Sequence, residues 1–212
     1  MNKNMKRFVL LFVLLCSIGF VYAQKLKHPD LLYTKELLER AKQRIEQDEN
    51  MSSAWNEIRQ TAEKELNAQK LDKADYLSLA YLMTGEKQYS DKLKDILFNV
   101  IEEDTWGSAE MLSRKPVWRG DLGLAHKAFL AAIAYDAVYN DLSTSERKKI
   151  AKGLYRLGVE PLLGDWLLEP SRIHSLNSMG HNWWTSCVCM GGLLALSLQN
   201  ELQEAKDGAK AV

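Results

Sequence analysis

The densest group of chemically able side chains lies near the end of the chain, where His174, Asn177, His181, Asn182, Trp183 and Trp184 follow one another closely. The segment NWWTSCVCMGGLLALSL after His181 is apolar enough to form a buried helix. The imidazole of His181 and the amide of Asn182 therefore stand at a helix N-terminus, where free backbone N–H groups favour anions. Both groups can hydrogen-bond a carboxylate, and adjacent indoles offer flat apolar faces of the kind on which sugar rings stack. Asn182 and His181 are thus candidate catalytic residues, with Trp183, Trp184, Asn177 and His174 candidate binding residues. The plainer assignment makes Asn182 an N-cap and both Trp residues core.

A second group is Trp118-Arg119-Gly120-Asp121. Arg119 can hold a substrate carboxylate through two parallel hydrogen bonds, or can serve the scaffold by pairing with Asp121 or a helix terminus. Asp165 and Glu169 are four apart and could mimic the carboxylate pair of a glycosidase. On one helical turn they read instead as a solvated edge. His126 and Asp136 interrupt an apolar stretch and are expected to be buried and hydrogen-bonded, and His28 is expected to be structural. Cys187 and Cys189 project about 200° apart on a helix, which does not suit a disulfide, so they read as buried thiols. No P-loop, dinucleotide fingerprint, nucleophile elbow or zinc motif is present, and neither cofactor nor metal is expected.

The elements that must position these groups are helical, because apolar residues recur at a period near 3.6 and alternate with period two in few places. The helices differ in kind. Thr34–Asp48, Ser52–Gln69 and Lys87–Glu103 are amphipathic, as is the segment from Glu201 onward. Ala74–Thr84, Asp121–Tyr139 and Asn182–Leu198 are apolar nearly all round. Ser143-Thr144-Ser145-Glu146 opens a further surface helix with a capping box. A helix apolar all round must be covered on every side, whereas an amphipathic one lies outside with one face inward. Three successive inner–outer hairpins describe two layers of helices, an all-α, incomplete α/α toroid or a related solenoid. An irregular helical bundle is the alternative. Two long irregular stretches, Thr105–Gly120 and Leu162–His181, each feed an apolar helix, and in a toroid such loops line one mouth of the central cleft.

The chain has 28 basic and 28 acidic residues among 212. That balance lacks the basic excess of a nucleic-acid binder or a polybasic membrane binder. Lys3, Lys6 and Arg7 precede an uncharged stretch, Phe8–Ala23, that ends in the small-x-small pattern Val21-Tyr22-Ala23. This predicts a signal peptide over residues 1–23, a mature start at Gln24, and a periplasmic or secreted protein without membrane attachment. The stretch falls short of the roughly 20 residues of a bilayer-spanning helix. A lipoprotein attached through Cys16 is the alternative, but Leu15 is not the small residue such a site prefers. The oligomeric state is not legible.

Three segments together carry a resemblance: HPDLLYTKELLERAKQRI, DLGLAHKAFLAAIAYDAVYNDLSTSERKKIAKGL and SLNSMGHNWWTSCVCMGGLLALSL. They are similar to the amino-terminal toroid of the heparinase II/III-like polysaccharide lyases, a group that includes alginate and chondroitin lyases, over most of residues 28–200. The resemblance implies that residues 24–212 are the amino-terminal part of an α/α toroid, truncated before the rest of the toroid and a β-sandwich. It also implies cleavage of an acidic, uronate-containing polysaccharide by β-elimination. In that reaction an Asn, often beside a His, hydrogen-bonds the uronate carboxylate and stabilises enolate-like charge. A Tyr or His removes the C5 proton and a Tyr protonates the leaving O4. Asn182 matches the Asn, and the order here is His-Asn where some members have Asn-His. The resemblance places the Tyr and another His in later segments. A non-catalytic helical carbohydrate-binding or scaffold module and a toroid glycoside hydrolase are the competing assignments.

Overall fold

The computed structural model describes residues 26–67, 70–174 and 181–212. The proposed signal segment, Cys16 and Asn177 lie outside the described residues. Within them the chain is helical and contains no strand. Helices α1 (Lys35–Gln47) and α2 (Glu49–Glu65) follow one another almost without a loop. Asp48 ends the first, and its side chain caps the second by accepting from the N–H groups of Asn50 and Met51. The second helix therefore begins ahead of the expected Ser52 and stops before Gln69. Helix α3 (Ala74–Thr84) is bounded by two left-handed residues, Lys73 and Gly85, and α4 (Lys87–Val100) follows.

The first long connection holds one short helix, α5 (Ala109–Leu112), and ends at Asp121, which caps α6 (Leu122–Val138). A 3-10 turn over Tyr139–Asp141 leads to α7 (Thr144–Leu154), whose capping box of Ser143 and Glu146 is formed as expected. The helix then widens into a π turn, Tyr155–Val159, where Glu160 N–H reaches back five residues to the Tyr155 carbonyl, and continues as α8 (Glu160–Trp166). Pro161 accounts for the widening, since it has no N–H and its ring would crowd the carbonyl four residues back. The second expected irregular stretch is thus helical from Leu162 to Trp166. Helices α9 (Asn182–Leu198) and α10 (Gln203–Ala211) complete the order.

The apolar helices pack side by side, α3 on α6 and α6 on α9. The amphipathic ones lie against them: α2 and α4 on α3, α4 also on α6, and the π turn and α10 on α9. Leu77, Leu93, Ile96, Leu97, Leu154 and Leu162 are among the side chains fully enclosed between them. The three apolar helices run parallel. At one end Leu122 and Trp183 share a depression, and Leu71 and Asp72, just ahead of α3, face Trp106 and Lys127. At the other end the Tyr81 hydroxyl donates to Asp141 at 2.5 Å and the Tyr139 hydroxyl to Glu201 at 2.6 Å. Three helix N-termini therefore share one face of the protein.

Two expectations about polar residues within these helices are corrected here. Asp136 is buried and accepts from His28 Nδ1, but His126 is exposed, because it lies near the start of α6, where the helix emerges at the shared face. Cys187 is buried and its thiol is pushed up to about 12 by burial, with the charges of Asp121 and Asp165 adding to the effect. Cys189 is exposed rather than buried, because two residues along a helix carry it to the opposite side.

Candidate functional site

The shared face is built around a carboxylate. Asp165, in α8, is fully enclosed. Its Oδ2 accepts from the backbone N–H of Arg119 at 2.5 Å and of Gly120 at 2.9 Å. Its Oδ1 accepts from Arg119 Nε at 2.9 Å, with Nη2 also at 2.9 Å. The Asp165 carbonyl in turn accepts from Ile173 and His174 N–H. One residue thus fastens the end of the first connection through its side chain and the following segment through its backbone. Gly120 is required at this junction, since a Cβ there would lie 2.9 Å from the Pro161 carbonyl oxygen. Trp166 Nε1 donates to the Gly120 carbonyl at 2.9 Å and completes the joint.

These contacts correct the expected solvated edge. Asp165 is a buried partner of Arg119, whereas Glu169 is exposed and pairs with Arg172. Arg119 does not pair with Asp121; its remaining nitrogen, Nη1, meets Glu160 at 2.9 Å. Asp121 instead accepts from Leu124 N–H and from the Ser108 hydroxyl. The Arg119 side chain is still 35% exposed, so one edge of the guanidinium reaches solvent.

Beside this joint lies a cluster of rings. His174 stacks on Trp166 at 3.6 Å between centroids and meets the edge of Trp118 at 4.5 Å. Trp183 sits 6.3 Å from Trp118 and 6.4 Å from Trp166. The Arg114 guanidinium lies over the Trp118 ring at 4.4 Å, which occupies one face of that indole. Trp166 is buried, with His174 flat against it. Trp183 is half-buried, no ring lies flat on it among the described residues, and it lines an open depression of about 350 Å³ with Trp106, Met111, Asp121 and Lys127. Trp184 packs against the core and its Nε1 is buried without a partner among the described residues. Both indoles are half-buried against the core, and of the two only Trp183 lines the depression.

His181, not Asn182, is the N-cap of α9: its Nδ1 accepts from Trp183 N–H at 3.2 Å. Asn182 is the first helical residue and is exposed. The expectation that Asn182 is simply a cap is therefore corrected. Its amide has no hydrogen-bond partner among the described residues and lies on the shared face, next to the His181 cap. The structure brings His174, His181, Asn182, Trp183 and Arg119 to one face. Sequence reasoning passed over Trp106 and Lys127, whose placement beside Trp183 depends on packing between α6 and the first connection. No group of His, Cys, Asp and Glu that could hold a metal occurs among the described residues, and none of their helices is long and apolar enough to cross a membrane.

Burial pushes the His174 imidazole below its ordinary value, against the opposing charge of Asp165. The unfolded chain takes up this proton near pH 6.5 and the folded ring resists it, so stability falls as pH drops below about 6.5 and levels off below the lowered folded value. His174→Phe keeps a ring on Trp166 and removes the titration. Its melting temperature is expected to fall less steeply with acid than that of the wild type over that window, and equal slopes would remove His174 as the cause.

No family model and no curated protein matches the chain.

Proposed function

We propose that the chain is the amino-terminal helical part of an exported polysaccharide lyase acting on uronate-containing polymers, its helices forming an arc of an α/α toroid. One observation carries the reading. The Asn182 amide, without a partner among the described residues, the His181 cap and the half-buried Trp183 stand together on the face shared by three parallel helix N-termini. Parallel inner helices flanked by amphipathic ones are what successive hairpins of a toroid require, and the resemblance of the HNWW segment supports the same assignment.

In β-elimination the C5–H and C4–O4 bonds break and a C4=C5 double bond forms. The C5 proton passes to a base and O4 leaves with a proton from an acid. The C5 proton is weakly acidic until charge on the adjacent carboxylate is stabilised, and a fixed amide donor aimed at that carboxylate supplies this. Asn182 is assigned that role, with positive helix N-termini reinforcing it. Trp183 is assigned to stack on a sugar ring. Lys127 and Trp106 extend the depression toward Lys70 and are assigned to a neighbouring sugar unit. Base and acid are assigned to other segments of the enzyme. A glycoside hydrolase is disfavoured because Asp165 is engaged by Arg119 and faces inward, away from Glu169.

Incubation of the full-length gene product with heparin, chondroitin and alginate is expected to generate the ultraviolet absorbance of an unsaturated uronate on one of them. Silence on all three, with binding retained, would turn the assignment to a non-catalytic carbohydrate-binding module. Mass spectrometry of the same exported preparation is expected to give an N-terminus at Gln24, and an acylated Cys16 would instead place the protein on a membrane.

A further inference from the structure

At the end of the molecule opposite the shared face, residues 26–31 form a strap across the C-terminal ends of α6 and α9. His28 is its centre, with only 1% of its side chain exposed. The ring lies flat on Tyr139 at 3.7 Å and meets Tyr135 edge-on at 6.3 Å. Its Nδ1 is 2.6 Å from Asp136 Oδ1, and Asp136 also accepts from the N–H groups of Asp30 and Leu31. The other ring nitrogen, Nε2, is 3.2 Å from Asn200 Nδ2.

The orientation of the Asn200 amide is set by the strap itself. Leu26 presents both its N–H and its carbonyl to it: Leu26 N–H donates to Oδ1 at 3.2 Å, and Nδ2 donates to the Leu26 carbonyl at 2.9 Å. Reversing the amide would oppose donor to donor and acceptor to acceptor at both contacts. The Asn200 NH₂ group therefore faces His28 Nε2, which must accept. That places the single ring proton on Nδ1, donated to Asp136.

A second ring proton changes only one of these contacts. Asp136 accepts from Nδ1 in either state. At Nε2 a new N–H would point at an NH₂ group. A half-turn of the Asn200 amide relieves this by bringing Oδ1 to Nε2–H, and breaks both hydrogen bonds to Leu26. We infer that the strap is an acid-sensitive latch: protonation of His28 turns the Asn200 amide away from Leu26 and frees that residue, while His28 stays on Asp136.

On the side of α1, Lys35, Glu39 and Lys42 line the same cleft as His28; Lys35 and Glu39 are exposed, and Lys42 pairs with Glu39 at 3.2 Å. Tyr135 and Tyr139 donate to Glu201 at 3.1 and 2.6 Å, and burial pushes both phenols up, away from the acid range. Arg147 of α7 lies 3.7 Å from Glu201 and 4.7 Å from the Tyr139 ring centroid. On the strap itself, Lys27 and Asp30 are exposed. Asn140 holds the His28 carbonyl at 2.7 Å whatever the ring charge.

Nitrogen-15 NMR of the exported protein tests this, followed from about pH 8 to about pH 5, across the range in which imidazole titrates. At the upper end His28 is expected to show the proton on Nδ1. As the ring takes its second proton, amide-exchange protection of Leu26, corrected for intrinsic exchange, is expected to fall by about tenfold or more. In Asn200→Asp the carboxylate can accept from both Leu26 N–H and Nε2–H, so protection of Leu26 is expected to persist in acid. A proton on Nε2 at the upper end, a ring that takes up no second proton by the lower end, or unchanged Leu26 protection while His28 titrates, overturns the inference on the wild type alone.

Discussion

Asp165→Ala is expected to lower stability by about 3 kcal/mol and the melting temperature by roughly 6–12 °C. The loss comes chiefly from the N–H groups of Arg119 and Gly120, which face a closed interior once the carboxylate is gone. An unsatisfied buried donor costs about 1–3 kcal/mol. The full penalty for breaking a buried ion pair does not apply, because the 35%-exposed Arg119 side chain can turn to water and to Glu160. Asp165→Asn keeps one acceptor oxygen and is expected to fall between the two. Glu160→Ala removes only the half-exposed arm of the same arginine and should cost less than about 1 kcal/mol. A melting curve for Asp165→Ala within about 2 °C of wild type would show that Asp165 does not hold the two connections together.

The second large effect separates catalysis from scaffolding at α9. Because His181 holds the cap, Asn182→Ala should leave stability within about 0.5 kcal/mol of wild type. If the lyase assignment holds, it should lower kcat of the full-length enzyme by about 10²–10³, the scale for losing one oxyanion-type donor. His181→Ala is expected to do the reverse, costing about 1 kcal/mol through loss of the cap, with a smaller effect on turnover. Asn182→Asp sharpens the contrast. A carboxylate in the first helical turn gains from the helix dipole by about 0.3–1 kcal/mol, yet repels a uronate, so stability and activity should move in opposite directions. An active, stabilised Asn182→Asp enzyme would exclude Asn182 from the site.

What was legible beforehand divides along physical lines. The bounds of α3, α6 and α9 follow from composition, since each is an apolar run between polar flanks, although α6 and α9 are not covered on every side. The capping box at Ser143 is local chemistry and could be read nearby, whereas Asp121 was expected inside the helix that it caps. Asp165 could not be read this way. Its burial depends on N–H groups and a guanidinium forty-five and forty-six positions earlier, and no local pattern around DWLLE announces a partner so distant. The exchange of roles between His181 and Asn182 was hidden for a different reason. Asn is the commoner cap, and only backbone geometry decides which residue precedes the first helical turn. His126 misled because an apolar helix was assumed to be enclosed along its whole length.

The π turn between α7 and α8 sets where this chain can change length. It holds one residue more than an α-turn, equivalent to about 100° of rotation. Removing one residue within Tyr155–Val159 would let the backbone close an ordinary turn and still deliver Asp165 to the same side of its helix. Removing one between Pro161 and Gly164 would swing the carboxylate about 100° away from Gly120 and empty the joint. Pro161 opposes the first change, because in a regular helix its ring meets the carbonyl four residues back. A deletion in the turn combined with Pro161→Ala should therefore be accommodated, whereas either deletion alone should not. The wide turn and its proline therefore act as one structural unit, and a change of length is tolerated only when both change.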